Sequence, residues 1–504
     1  MRGRREGFCA ATRSFYGGGM SAKEYKGISG GFGSYSQRGG RAGMVRLRLA
    51  GGVLDRERLD FIVDCIDRHG IGRVHMTACQ SLQLHDLDAE AVCAIVNEAP
   101  AHGIDTFGGG GDHPRNVMAS PLSGVDPEGC FDVLPYAVAT ERYVLSLAGS
   151  IDLPRKLKIA FAASPANDVH ATFRDLGFLA RPDGRFDVHT AGGLGRDPRP
   201  GLHTAVAEPS EVLLHVRAMI DVFQEHGDRG NRARARTRFI PETLGEERYR
   251  EAYARALAEA GRAGLPRIGP PAETYAPEAP VLVAPRIRTQ RQAGLHSVSW
   301  HPIGGDIEPA MLKRLRDALR GMPGAELRLS TDQTLHIINC GRGDADTLAG
   351  LTADGAADVF EASVSCVGAT VCQIGLRDSR ALLERLVAMS RRNAFPDGTL
   401  PQVRISGCGS SCAAHQIGTI GFVGVSARTA DGGPVPAYAV TVGGSRQAGR
   451  ECFGRTVGSI PEDRVPAFME AVGRTVMASG KGFADWYADD PDAFGAIASE
   501  YTVG

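Results

Sequence analysis

The chain is internally duplicated, and this constrains its fold more than any single motif does. In the first half, Gly51 and Gly52 precede the amphipathic stretch LDRERLDFIVDCIDRHG and then the strand-like VHMTACQSLQLH. In the second half, Gly304 and Gly305 precede EPAMLKRLRDALRGM and then LRLSTDQTLHII. Gly52 to Gln80 and Gly305 to Gln333 both span 28 residues. Helical periodicity followed by an alternating strand, repeated at one spacing, indicates two copies of one unit. A second echo pairs RKLKIAFAASP, from Arg155, with QVRISGCGSSC, from Gln402. Each half therefore reads as a small β-α-β unit followed by a larger α/β unit.

The expected divisions are an N-terminal extension over 1–35, a small unit over 36–108 and a larger unit over 109–263. A Pro- and Ala-rich linker over 264–286 leads to a second small unit over 287–350 and a second larger unit over 351–504. The leader MRGRREGFCAATRSFYGGGM begins basic but has no continuous apolar run of the signal-peptide kind. Because Met20 opens MSAKEYKGISGGFGSY, the natural start is expected there, with the leader either a misassigned start or a disordered extension.

The two larger units divide their labour, because only the second carries Cys366 and Cys372 in CVGATVC and Cys408 and Cys412 in CGSSC. Thiolates are soft ligands that suit iron-sulfur clusters or zinc. Structural zinc sites mostly use paired ligands two to four residues apart, so a gap of five followed by a gap of three favours a 4Fe-4S cluster. A buried, inert role is the remaining reading, but both pairs sit among Gly and Ser, which is loop composition.

Lys and Arg total 57 against 58 Asp and Glu, so there is no global basic field for nonspecific nucleic-acid binding. Any anion site must be locally basic. Eleven cysteines without a disulfide-like framework fit a reducing cytoplasm. No stretch approaches the roughly 18 apolar residues that span a bilayer. No membrane partner is expected.

Residues of equal parity in a strand share a face. Arg46 and Arg48 do so in MVRLRLAGG, as do Lys156 and Lys158 in LPRKLKIAF. If RVHMTACQSLQLH is one unbroken strand, His75, Thr77, Cys79, Ser81, Gln83 and His85 form one polar face. Singly, each is the solvated side of an antiparallel sheet; together, beside a metal centre, they suggest a binding surface. GGGGDHPRNV places Arg115 and Asn116 after a glycine-rich loop. The glycine run AGGLG lacks the context of a dinucleotide fingerprint.

From about Tyr25 to about Ala484 the chain resembles the siroheme-dependent nitrite and sulfite reductases. The resemblance rests on C-x5-C followed by C-x3-C, VRLRLAGG, GDHPRNV, LPRKLK and the duplication. It implies an α+β fold with pseudo-twofold symmetry: two ferredoxin-like half-domains and two larger α/β domains that bind siroheme and a 4Fe-4S cluster. Cys366, Cys372, Cys408 and Cys412 would hold the cluster, with Cys412 bridging to the siroheme iron. Arg46, Arg115, Lys156 and Lys158 would line the distal face of siroheme, where the substrate is an oxyanion. Arg48, His75, Gln83, His85 and Asn116 would hold siroheme itself, many of them through its carboxylates. The implied reaction is six-electron reduction of sulfite to sulfide, or of nitrite to ammonia. A non-catalytic siroheme protein is a further reading, disfavoured by the basic pocket. Lys158 tilts the choice to sulfite, because some nitrite reductases have asparagine there and sulfite carries more negative charge.

Two departures stand out. Many relatives have T-x-R-Q where this chain has Thr77-Ala78-Cys79-Gln80, and C-P-N-x-C where it has CGSSC. Cys79 reads as a buried spectator in preference to a redox-active thiol. The chain has no flavin or nicotinamide fingerprint, so electrons are expected from an external ferredoxin or flavoprotein subunit. The series Arg232, Arg234, Arg236 and Arg238 is either a docking face for an acidic ferredoxin or a solvated surface.

Overall fold

In the computed structural model, which describes residues 2–428 and 432–503, each half of the α+β chain builds two sheets. The first small unit is a sheet in the order Ser34–Ser36, Gly43–Arg48, Ser81–Leu87, Val74–Met76, Asp306–Ile307. Its last strand comes from the second half. The second small unit runs Leu282–Ala284, Ile287–Thr289, His296–Trp300, Leu335–Cys340, Glu326–Leu329, Val53–Leu54. Its last strand comes from the first half. Each half thus covers an open sheet edge of the other with a two-residue strand. Linear divisions of the sequence do not contain this exchange.

The helices that follow these lent strands, Arg56–His69 and Pro309–Leu319, pack against each other. The first begins on Asp55, whose carboxylate accepts from the Arg58 N–H, and stops at Gly70 in the left-handed region. Inward-facing Val45, Leu47 and Leu84 share one core with Val298, Leu327 and Ile337. The alternation of these apolar residues is what the strand period predicts.

The two glutamines at matching spacing bind the halves together. Gln80 and Gln333 both take positive φ, 53° and 63°. The Gln80 amide donates to Ala119 O and Leu329 O, each at 2.7 Å, and its oxygen accepts from Ala119 N. Gln333 donates to Ser365 O at 2.9 Å and Met76 O at 3.1 Å, and accepts from Ser365 N. Each glutamine therefore ties its own larger unit to the other half's small unit.

The larger units share one topology. Met118–Ala119, Ile159–Ala162 and Leu176–Ala180 pair in parallel, then Phe186–Thr190 and Leu202–Ala207 continue antiparallel. Val364–Ser365, Val403–Ser406 and Ile420–Arg428 pair in parallel, then Pro434–Val442 and Arg455–Pro461 continue antiparallel. Ile159 pairs with Leu176 and Val403 with Ile420, a common step of 244 residues. The alignment of Arg155 with Gln402 is therefore corrected by three residues. Small-residue composition hides the register that the hydrogen bonds fix.

The leader is not a disordered extension. Arg2–Tyr16 is a helix that places Phe8 and Cys9 in the shared core. Phe8 stacks on Phe32 at 4.7 Å and Phe15 on Tyr25 at 4.4 Å. Among the described residues, no helix is long and apolar enough to cross a membrane.

Candidate functional site

VHMTACQSLQLH is a hairpin and not one strand: Val74–Met76 and Ser81–Leu87 flank a turn closed by Gln80. The polar residues still converge, because register replaces parity. Arg46 pairs with Gln83, Gln83 with His75 and His75 with Asp306, making one row across four strands. Arg46, Gln83 and His75 of this row, the Lys156 and Lys158 segment, and Cys366, Cys372, Cys408 and Cys412 line one cavity of about 370 Å³.

Arg46 is held from both sides. Its Nη1 donates to Gly109 O at 2.5 Å, and with the Gln83 amide oriented to satisfy its neighbours, Gln83 Oε1 accepts from Arg46 Nη2 at 2.6 Å. The same amide donates to His85 Nε2 at 3.2 Å. Burial, followed by the charge of His75, pushes His85 down to about 3, which leaves it neutral. His75 Nδ1 lies 2.6 Å from Asp306 Oδ1, so its ring is oriented by the second half.

Arg115 spends most of its fork on the glycine loop, donating to Gly110 O at 2.6 Å and Gly111 O at 2.8 Å. Asn116 donates through Nδ2 to Leu49 O, Cys79 O and Gln80 O, fixing the hairpin turn. Its Oδ1 is buried without a hydrogen-bond partner. Burial, then the charges of Arg236, Lys158 and Arg115, hold Lys156 well below the ordinary ammonium range. Lys158 is also lowered by burial, against the opposing pull of Cys79.

Arg48 is not a cavity residue. It is 3% exposed and forms a bidentate pair with Glu141 at 2.7 and 2.8 Å. Its remaining donors go to Phe107 O, Pro114 O and Arg115 O. Parity places Arg48 with Arg46, but the buried carboxylate of Glu141 claims it.

The four thiols come from two loops that follow the neighbouring parallel strands Val364–Ser365 and Val403–Ser406. Gly368, with φ 78°, makes the turn between Cys366 and Cys372 that a side chain would strain. Cys366 Sγ accepts from Gly407 N at 3.2 Å and lies 3.1 Å from Ser379 Oγ. Arg38 donates to Cys372 O and Gly375 O, and Gln373 to Ser36, so the first half braces the cysteine loop. Cys412 lines the cavity, and its thiol is pushed up by burial and by Cys366. Among the described residues, no three His, Cys, Asp or Glu side chains converge for a single metal ion. Thiols spread around a cavity wall suit a polynuclear cluster better than mononuclear zinc.

The first half shows what the cysteines replaced or were replaced by. The Ser120 N–H donates to Phe161 O as the Cys366 N–H does to Ile405 O. Ser120 Oγ accepts from Ala163 N as Cys366 Sγ accepts from Gly407 N. The same superposition sets Asp126 against Cys372, Ser164 against Cys408 and Asp168 against Cys412. Every thiol has an oxygen counterpart, and Ser120 Oγ bonds Asp168 Oδ1 at 2.6 Å.

Two further cations reach this region, neither of them expected there from the sequence. Arg174 and Arg236 join Lys156, Lys158 and Cys412 around a chamber of about 30 Å³ beside the main cavity, close to the share of one water molecule. Arg236 belongs to the arginine series but turns inward to Asp175 at 2.7 Å; Arg174 carried no signal in sequence. The series is thus no single docking face. Arg232 pairs with Asp112, Arg234 with Glu242, and Arg238 donates to Arg196 O and Asp197 O. A larger cleft of about 610 Å³ lies at the second half's counterpart of the chamber. It holds Arg404 and Arg446 against Glu128 and Glu278, and none of the four cysteines.

A duplicated α+β chain with four thiols and a cationic wall in one cavity is a redox protein built to bring an anion to a metal centre. Known proteins make this specific. A family model described as the nitrite and sulphite reductase 4Fe-4S domain matches residues 110–260, and one described as the nitrite/sulfite reductase ferredoxin-like half domain matches residues 35–101. The ferredoxin–nitrite reductase of Synechococcus elongatus is 29% identical over 421 residues, covering 80% of each chain. The sulfite reductase [ferredoxin] of Mycobacterium tuberculosis strain H37Rv is 29% identical over 473 residues, 88% of this chain and 81% of that protein. The solved structure of the Mycobacterium tuberculosis NirA protein superposes with a TM-score of 0.83 at 26% identity, covering 98% and 94% of the two chains. The chain belongs to the siroheme-dependent nitrite and sulfite reductase family and is an oxidoreductase.

The cofactors of this family are siroheme and a 4Fe-4S cluster, and the residues present fit both. Four thiols of one half, a cavity between the halves, and cationic or orphaned polar groups such as Asn116 Oδ1 are the donor set such a pair requires. The 4Fe-4S model matches the first larger unit, whose counterpart positions carry Ser and Asp, while the thiols stand in the second.

Proposed function

We propose that the chain reduces sulfite to sulfide by six electrons, and that Cys366, Cys372, Cys408 and Cys412 are the residues that would hold the 4Fe-4S cluster beside siroheme. The observation that carries this reading is the convergence of the four thiols with Arg46, Arg115, Lys156 and Lys158 on one cavity. When bound, siroheme supplies the iron that takes the oxyanion, and the cluster supplies electrons singly. The chain supplies the rest.

Arg46, locked by Gln83 and Gly109, offers fixed charge and forked donors to oxyanion oxygens. Lys156 and Lys158, desolvated and crowded by other cations, release protons readily and are recharged through water. His75, Gln83, His85 and Asn116 face the same cavity and are the proposed partners of siroheme's polar edge. Arg48 acts behind them by holding the glycine loop.

Charge complementarity favours sulfite, because two lysines and several arginines surround the approach. Nitrite reduction to ammonia is the second reading, supported by similarity to the Synechococcus nitrite reductase. The electron donor is proposed to be an external ferredoxin, as the names of several relatives state for those proteins, and the location the cytoplasm. Anaerobic kinetics with reduced methyl viologen, run on sulfite and nitrite in parallel, test the reading. A higher kcat/KM for sulfite supports it; a higher value for nitrite replaces it with the second.

A further inference from the structure

Cys79 is neither a buried spectator nor a residue without a partner. It stands at the tip of the hairpin turn, lines the cavity, and its Sγ lies 3.3 Å from Lys158 Nζ. The strongest charges that act on it are those of cations: Lys158 before the strand Ile159–Ala162, Arg174 after the short helix Ala171–Phe173 and Arg46 on the strand Gly43–Arg48, with Arg115 from the glycine loop also in its field. A thiol in such a field is ionised easily.

The duplicate supplies an independent observation. Gln80 corresponds to Gln333, so Cys79 corresponds to Asp332, at the tip of the same turn in the second half. Asp332 lies 3.5 Å from Arg446, and the charges of Arg446 and Arg404 overcome burial to keep its carboxyl ionised. The geometry around the two turns also matches. Arg174 donates to Val169 O and Arg404 to Ala413 O, a carbonyl 244 residues further on, although the two arginines start from different backbone positions. Both halves therefore place an acidic group between two cations. In the second half that group is a carboxylate.

We propose that Cys79 is a resident thiolate that fixes Lys158 by an ion pair, as a positioning residue for that ammonium in the anion pocket. Burial raises the thiol, but Lys158, Arg174 and Arg46 bring it down to about 6. The pair works both ways. Lys158 is also faced by Arg174, Arg236 and Cys412, and of the groups that oppose its desolvation Cys79 is the strongest. Without the thiolate, Lys158 sheds its proton at a lower pH. The role of Lys158 toward the oxyanion rests on the proposed function; the ion pair itself does not.

Two readouts on the purified holoenzyme separate these layers. The first is thermal unfolding of wild type, Cys79→Ser and Cys79→Asp between pH 5 and pH 9. A thiol lowered in the folded state contributes stability that is lost as pH falls through its folded value and grows toward its unfolded value. The Tm advantage of wild type over Cys79→Ser is therefore expected to widen from pH 5 to pH 9, with Cys79→Asp recovering most of it at pH 7. A pH-independent difference overturns the ion pair. The second readout is sulfite affinity, followed by the visible absorption of the bound siroheme. The alkaline limb of binding is expected to move down by about one pH unit in Cys79→Ser, roughly a tenfold weaker Kd on that limb, and to return in Cys79→Asp. An unmoved limb alongside a widening Tm difference overturns the positioning role and leaves the ion pair standing.

Discussion

His75 and Asp306 come from different halves of the chain and meet through a 2.6 Å hydrogen bond, side by side on paired strands. The strand that Asp306 occupies is the one the second half lends to the first. Arg380 reaches the other oxygen of the same carboxylate. One aspartate thus joins a cavity wall, a lent strand and a helix of the second half.

Burial raises the Asp306 carboxyl, but the hydrogen bond from His75 and the charges of His75, Arg380 and Arg73 outweigh it and hold the group low. A carboxyl lowered by folding contributes stability that is present above its unfolded value, near pH 4, and is lost as pH falls through its folded value. Asp306→Asn is expected to cost about 3 kcal/mol at pH 7 and to flatten the acid limb of the stability curve. Denaturant unfolding at pH 7 and pH 3.5 checks this.

The four cysteines and their oxygen counterparts make a paired prediction. Cys366→Ala, Cys372→Ala, Cys408→Ala and Cys412→Ala are each expected to lower iron and acid-labile sulfide in the purified protein and to bleach its cluster absorption. Ser164→Ala, at the counterpart of Cys408, is expected to leave both unchanged. Iron and sulfide analysis beside the visible spectrum decides it, and iron loss in Ser164→Ala would count against the assignment.

Arg46 and Arg48 sit two residues apart and should fail differently. Arg48→Leu strands the buried Glu141 carboxylate and is expected to cost about 3–5 kcal/mol of stability. Arg46→Lys keeps the charge and loses the fork. It is expected to lower kcat/KM by about 10- to 100-fold with a small change in Tm. Thermal unfolding and steady-state kinetics on both variants make the comparison.

Lys156 is maintained at a cost to the fold, since burial and neighbouring cations oppose its charge. Lys156→Met is expected to raise Tm by roughly 2–4 °C and to lower kcat by about 100-fold or more. A fall in both Tm and kcat would assign Lys156 to structure.

Most of the residues that sequence named as candidates line one cavity, because their signals are local. Lys156 and Lys158 both line the cavity although they precede the strand Ile159–Ala162 that parity extended over them, and the loop composition around the cysteines kept them out of packed elements. Arg48 failed because parity gives a face and says nothing of a carboxylate 93 residues away. The hairpin at Gln80 failed as one strand because a left-handed residue reverses the chain without Gly or Pro to mark it.

Sequence alone determined the duplication, the metal-type thiols, their confinement to one half and the cationic character of the wall. These follow from composition and spacing along the chain, where each residue constrains only its neighbours. Tertiary structure decided the exchange of short strands, the three-residue correction of the second repeat, the arrival of Arg174 and Arg236, and the pairing of Cys79 with Lys158. Those depend on which distant groups compete for the same buried charge. That competition is settled only when desolvation brings the groups together.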